Sequence, residues 1–202
     1  TTDKVTLLTY IGDITNNGTI STKTSLDIQA GVNGGSDDAS ITNSGTIKAT
    51  GGGMSFTVDK SLTNNGLIQA DDQIKFAVGG TLTNQGTIES TSSNVQAHIG
   101  RNFKNIAVYN NESTENRTLK GGIIEAGGNV QVDYNLDNEG IGVASSEERI
   151  DGIYNSGLIW AKGENGKDPV YDEKGNIVNS GSGNIWLTSS YNITNYGTIE
   201  AG

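Results

Sequence analysis

The chain has 202 residues, of which 33% are hydrophobic, 29 are Gly, 1 is Pro and none is Cys. Helix-forming residues are thinly spread, which excludes a helical bundle, and the absence of Cys excludes disulfides and thiolate zinc sites. The formal net charge of -10 argues against a nucleic-acid-binding protein, which would carry a basic surface. No apolar run approaches the roughly 20 residues of a membrane-spanning helix, so we expect no membrane insertion.

In chain order, one short phrase returns from the first copy at 14–20 (ITNNGTI) to the last at 193–199 (ITNYGTI). Each copy has an Asn that serves as a marker, and these markers are Asn16, Asn43, Asn64, Asn84, Asn105, Asn138, Asn155 and Asn195. The three intervals between Asn43 and Asn105 are 21, 20 and 21 residues by subtraction. The copy at Asn138 is degenerate, and an insertion splits the copy at Asn105. We therefore predict a repeat of about 20 residues whose longer copies carry insertions.

A strand precedes each phrase. Apolar residues lie ten, eight and six positions before the marker, as Ile74, Phe76 and Val78 do before Asn84. This alternation with a period of two predicts a half-buried strand. With the apolar or small residues at minus two, plus four and plus six, each repeat contains three short strands. We expect the Gly of each Asn-x-Gly corner to supply a positive φ.

A single 20-residue coil cannot bury its own apolar residues, whereas stacked coils bury them in a continuous column. The sequence therefore predicts an all-β fold, a parallel β-helix solenoid of about eight coils over residues 1–202. The marker Asn residues would form a hydrogen-bonded ladder. An antiparallel sandwich is the alternative, but it does not explain why the same turn chemistry recurs at every second or third strand.

Three insertions interrupt the pattern, and insertions in solenoids map to loops, where binding residues concentrate. The first, at 31–38, is Gly-rich and acidic, and this composition indicates a solvated turn rather than a Ca²⁺ loop. The second, at 106–120, includes Tyr109, Asn111 and Arg117, a composition that fits either a recognition loop or a plain spacer.

The third insertion, at 164–183, contains Tyr171 and two alternating segments around a Lys-Gly-Asn turn, which predicts a β-hairpin. Trp160 and Trp186 flank it, and strand alternation directs both rings outward. Two interpretations stay open for this pair: a binding surface for sugar or protein, or two rings covered by the hairpin.

The acidic residues and the single histidine of the sequence do not suggest a catalytic site. Glu89, Glu125 and Glu200 recur at one outward position, which indicates a solvated face rather than a pair of catalytic carboxylates. His98 also lies at an outward position, and we expect it to be an exposed strand histidine without an acid beside it. No phosphate-binding loop, H-E-x-x-H or G-x-S-x-G motif is found. We predict no catalytic residues, metal or cofactor.

The recurring [IL]-T-N-x-G-x-I-x-A phrase resembles the haemagglutinin repeats of filamentous haemagglutinin-type two-partner-secretion exoproteins, which include contact-dependent growth inhibition effectors. The resemblance covers most of the chain outside the insertions. It implies a right-handed β-helical filament, exported through an outer-membrane secretion partner and displayed on the surface of Gram-negative bacteria. The Asn-Pro motifs of that family's secretion domain are absent, since the only proline is Pro169. We therefore expect an internal segment of a longer protein.

The resemblance implies a rigid stalk that also adheres to a receptor, protein or glycan, on a host cell or a neighbouring bacterium. The candidate contact residues are Tyr109, Asn111, Arg117, Trp160, Tyr171 and Trp186. Because the β-helix also occurs in other functions, two alternatives remain: a polysaccharide-active enzyme and a glycan binder similar to phage fibres.

Overall fold

A computed structural model describes residues 4–31, 39–110, 118–134, 152–163 and 183–202. Strands are numbered in chain order, and three sheets run along the molecule. Sheet 1 consists, in spatial order, of β1 (Lys4–Thr9), β4 (Ser25–Ala30), β7 (Met54–Val58), β10 (Ile74–Val78), β13 (Val95–Ile99), β18 (Val130–Asp133) and β21 (Ile185–Leu187). Sheet 2 consists of β2 (Ile14–Asn16), β5 (Ile41–Asn43), β8 (Leu62–Asn64), β11 (Leu82–Asn84), β14 (Phe103–Asn105), β19 (Ile153–Asn155) and β22 (Ile193–Asn195). Sheet 3 consists of β3 (Thr19–Thr22), β6 (Thr46–Ala49), β9 (Leu67–Ala70), β12 (Thr87–Ser90), β17 (Ile123–Ala126), β20 (Leu158–Ala161) and β23 (Thr198–Ala201).

The chain is a parallel β-helix, as the repeat predicts. Each coil contributes one strand to each sheet, and neighbouring coils pair in parallel. The register follows the repeat: Ile74 lies opposite Met54 and Val95, so equivalent residues stack. The described ranges contain no helix long and apolar enough to cross a membrane.

Each sheet has seven strands, so the described residues form seven coils rather than about eight. The difference arises at Asn138, which was predicted to mark a coil and lies outside the described residues. On either side of it, β18 pairs directly with β13, and β19 pairs directly with β14. Strands β18 and β19 therefore belong to one coil.

The core is a column of inward-facing side chains from all three sheets. The alternation predicted for β7 and β10 is observed, with Phe56 and Phe76 fully buried. Their rings stack with centroids 4.9 Å apart and planes 16° from parallel. Burial of such aromatic and aliphatic side chains provides the main stabilisation that one coil lacks by itself.

The corner glycines are required for a reason other than the expected one. Of the corner glycines in the described chain, only Gly122 has a positive φ, of 70°. A Cβ on Gly66 would instead lie 2.0 Å from the carbonyl oxygen of Gly45 in the preceding coil. Gly86 approaches Gly66 in the same way. The expectation of positive φ is wrong for most of this column, because the constraint is the close stacking of turns.

Of the three insertions, the one at 106–120 contributes two strands within the described residues. Residues 32–38 and 164–182, including the hairpin predicted around Tyr171, lie outside the described residues. In the insertion at 106–120, β15 (Val108–Tyr109) pairs antiparallel with β16 (Leu119–Gly121). This short ribbon leaves the corner after Asn105, and the chain re-enters the coil at Gly122.

Candidate functional site

The marker Asn residues form a continuous ladder through the interior. The amide Nδ2 of Asn64 donates to Oδ1 of Asn84 at 2.8 Å, and Asn84 donates in turn to Asn105 at 2.9 Å. The same contact joins successive markers along the row Asn16, Asn43, Asn64, Asn84, Asn105, Asn155 and Asn195. Asn105 donates directly to Asn155, and Asn138, the other predicted marker, lies outside the described residues.

Each rung also fixes the adjacent corner. The Nδ2 of Asn64 is 3.3 Å from the carbonyl oxygen of Gly66 and 3.1 Å from that of Thr87 in the next coil. Because Asn64 is fully buried, these contacts satisfy polar groups that would otherwise be costly to bury. The ladder therefore holds the positions of the corner residues that point to solvent.

A second, shorter row of Asn residues lies directly before strands β13, β18 and β21 of sheet 1, and it was not predicted. Oδ1 of Asn94 accepts from both the backbone N–H of Asn129, at 2.8 Å, and its Nδ2, at 3.1 Å. Asn129 Oδ1 accepts from the backbone N–H of Asn184 at 2.9 Å. The repeated Asn-Val-Gln at 94–96 and 129–131 was the signal in the sequence that could have revealed it.

The ribbon from the second insertion forms one wall of a surface groove, which we call the tyrosine groove. Its volume is about 410 Å³, and it is lined by Tyr109, Leu119, Ser156, Gly157, Leu158, Tyr196, Gly197 and Thr198. Tyr109 was predicted as a contact residue and is 41% exposed. Tyr196 was not singled out from the sequence, yet it is 78% exposed.

The position of Tyr196 follows from the repeat. It is the middle residue of the last Asn-x-Gly corner, directly above Ser156, the middle residue of the corner before it. Its ring lies 6.0 Å from the ring of Tyr154, measured between centroids, at an angle of 56°. The Oγ of Ser156 accepts a hydrogen bond from the backbone N–H of Ala107 at 3.0 Å, which ties the ribbon to this corner.

The two tryptophans do not belong to this groove. Trp160 lies on the outer face of β20 in sheet 3, and Trp186 lies on β21 in sheet 1, each half-buried. The Nζ of Lys162 lies 4.7 Å from the Trp160 ring centroid and 3.0 Å from an oxygen of Glu125. The two rings are therefore on different sheets. The other predicted contact residues, Asn111, Arg117 and Tyr171, lie outside the described residues.

His98 is buried, and the expectation of an exposed histidine is wrong. Its side chain is 1% exposed although it lies on the outward row of β13. Its Nδ1 is 2.7 Å from Oδ1 of Asp133, its register partner on β18, while its Nε2 is buried and has no hydrogen-bond partner among the described residues. Asp133 Oδ2 accepts from Gln131 at 2.6 Å. Sequence reasoning missed the acid because it lies 35 residues away.

Two of the three outward glutamates, Glu89 and Glu125, have polar partners. Glu89 and Glu125 lie opposite each other in sheet 3. Glu89 accepts from Gln69 at 2.7 Å, and Glu125 pairs with Lys162. Among the described residues, no group of three or more His, Asp or Glu side chains is placed to hold a metal ion.

Comparison of the chain with protein-family models, with curated proteins and with solved structures finds no match. Function is therefore inferred from the geometry of the Asn ladder and the tyrosine groove.

Proposed function

We propose that this chain is a non-enzymatic stalk and recognition scaffold, part of a secreted bacterial exoprotein of the filamentous haemagglutinin type. Its location would be the outer face of a Gram-negative cell, after export through an outer-membrane partner. Its target would be a receptor on a host cell or a neighbouring bacterium. The observation that carries the proposal is the tyrosine groove, in which the exposed Tyr196 extends from a corner of the hydrogen-bonded Asn ladder.

The physical argument concerns preorganisation. Binding costs less when the contacting groups are already held in place, because little conformational freedom is lost on association. Asn155 and Asn195 fix the corners that present Ser156 and Tyr196, since each Asn Oδ1 accepts from the backbone N–H of the following Gly. A surface Tyr also supplies a large contact area with only two rotatable side-chain angles. These features suit a recognition surface on a rigid rod.

The test is binding of the labelled chain to a panel of Gram-negative bacteria and epithelial cells at physiological salt. In one variant, a single Gln replaces residues 106–121, which recreates the Asn-Gln-Gly corner of Asn84, Gln85 and Gly86. This variant keeps the ladder and removes the ribbon with Tyr109. The control is Tyr10→Ser, which changes a 57% exposed Tyr at the other end of the rod.

We expect saturable binding that the ribbon-deleted variant loses and the Tyr10→Ser variant retains. Circular dichroism of both variants should keep the β-sheet signal of the parent chain. A recognition role for the groove would be contradicted if the chain bound none of the cell types saturably. It would also be contradicted if the ribbon-deleted variant bound as well as the parent chain.

A further inference from the structure

We propose that the tyrosine groove binds an uncharged carbohydrate, with one sugar ring placed against the face of Tyr196. This inference rests on the proposed function, because it names the class of receptor group that the groove takes. Its volume of about 410 Å³ falls within the range of roughly 300–1,000 Å³ found for small-molecule sites. The groove is therefore large enough for a saccharide.

The charge of the lining indicates an uncharged ligand. None of the eight described lining residues is Asp, Glu, Lys, Arg or His. The chain as a whole carries a formal net charge of -10, so a sulfated, phosphorylated or sialylated ligand would be repelled and would find no cation among these eight residues. A cationic ligand would find no carboxylate there. An uncharged ligand has neither disadvantage.

The side chains in the lining combine apolar faces with hydroxyl groups. Tyr109 and Tyr196 each contribute an aromatic ring and a phenolic oxygen to the lining, and Leu119 and Leu158 add apolar surface. Ser156 and Thr198 add aliphatic hydroxyls. The Ser156 oxygen accepts from the Ala107 N–H, and its own hydroxyl proton stays available to donate to a ligand.

A sugar ring matches this combination. One face of a pyranose presents C–H groups, which lie against an aromatic ring, while its edge carries hydroxyls that both donate and accept. A purely apolar peptide side chain would cover the rings but leave the surrounding hydroxyls without partners, at a cost in binding free energy. The groove therefore favours a saccharide over an apolar peptide.

The corner that carries Tyr196 and the ring of Tyr154 both restrict the position of the Tyr196 ring. Its backbone lies in a corner where Asn195 Nδ2 donates to the carbonyl oxygen of Gly197 at 3.1 Å. Its ring is supported by Tyr154, whose centroid is 6.0 Å away. The Tyr196 ring thus contacts a second aromatic ring before any ligand binds.

The experiment is a titration of the whole chain with a panel of glycans, followed by saturation-transfer NMR. The panel contains uncharged oligosaccharides of glucose, galactose, N-acetylglucosamine and N-acetylgalactosamine, together with sulfated and sialylated counterparts. The variants are Tyr196→Ala, Tyr196→Phe and Ser156→Ala, with Tyr10→Ala as the control. Because Tyr196 is 78% exposed, its substitution should leave the urea unfolding midpoint unchanged.

We expect at least one uncharged oligosaccharide to bind, with affinity about tenfold weaker in Tyr196→Ala and nearly unchanged in Tyr196→Phe and Tyr10→Ala. Ser156→Ala should weaken binding by a smaller factor. Binding by charged glycans alone, binding that Tyr196→Ala leaves intact, or no glycan binding at millimolar concentration would overturn the proposal.

The cell-binding assay distinguishes failure of the carbohydrate proposal from failure of the proposed recognition function. If cell binding requires the groove and survives periodate oxidation of surface sugars, the recognition role stands and the receptor is not a carbohydrate. If glycans bind the groove and no cell does, the ligand class stands and the recognition role fails. Periodate-sensitive, groove-dependent cell binding supports both.

Discussion

Asn105 donates from Nδ2 to Oδ1 of Asn155 at 2.8 Å, although 50 residues of sequence separate them. The rungs within the regular coils are 20 or 21 residues apart and have nearly the same length. The coil thus closes at the same point whether the connection is short or long. Insertions can grow on the outside because the interior register does not depend on them.

The ladder should contribute strongly to stability. Asn64→Ala would leave Oδ1 of Asn84 without the amide that donates to it, in a fully buried site. We expect a loss of about 1–3 kcal/mol for each buried group left unsatisfied, measured by urea unfolding. The control is Asn195→Ala, since Asn195 is the exposed rung where water can replace the amide. Equal losses in the two variants would refute a special role for burial.

The corner glycines allow a matched test of close stacking against backbone conformation. Gly18 and Gly66 both follow Asn-Asn, but a Cβ at Gly18 meets nothing within 4 Å, whereas one at Gly66 lies 2.0 Å from Gly45 O. We expect Gly66→Ala to cost about 1–3 kcal/mol or more from overpacking, and Gly18→Ala to change stability little. Calorimetric melting of the two variants checks this. Similar losses in the two variants would contradict close stacking of turns as the constraint on Gly66.

The contact between His98 and Asp133 can be measured by a double-mutant cycle. His98→Leu and Asp133→Leu each remove one partner of the 2.7 Å contact, and each should cost about 1–3 kcal/mol. The double variant should lose less than the sum, with a coupling energy of about 0.5–3 kcal/mol. Additive losses in chemical denaturation would mean that the two side chains stabilise the sheet independently.

The aromatic stack in the core should be a site of large losses. Phe76→Ala removes a fully buried ring that lies 4.9 Å from the ring of Phe56. We expect a loss of about 3–5 kcal/mol in the free energy of unfolding. The half-buried Thr57, on the outer row of the neighbouring strand, provides the control, and Thr57→Ala should stay within about 0.5 kcal/mol. A small loss of unfolding free energy for Phe76→Ala would mean that neighbouring side chains move to fill the cavity left by the ring.

The sequence was sufficient to predict the strands because the alternation of Ile74, Phe76 and Val78 reflects a physical requirement for burial on one side. It was not sufficient for contacts between coils. The pair of His98 and Asp133 depends on which strands become neighbours, and β13 and β18 are separated by the second insertion. Likewise, the contact that restricts Gly66 involves a carbonyl of the preceding coil, so the corner considered alone suggested φ as the cause.

The candidate site was predictable only in part. Tyr109 was identified by the composition of its loop, whereas Tyr196 occupies a corner position where the other copies have Asn, Ser or Gln. A single large residue in a repeat looks like ordinary surface variation. Its importance emerges only when the ribbon from 106–120 is placed beside it, which requires the stacking of coils in three dimensions.

The parallel pairing between coils has a mechanical consequence. Hydrogen bonds between neighbouring coils run along the axis of the rod, so tension applied to its two ends loads them directly. Each regular coil that detaches would release about 20 residues, or at most about 70 Å of extended chain, before the next one is loaded. Stretching of this rod should therefore proceed in regular steps, with the insertion-bearing coils giving the longest extensions.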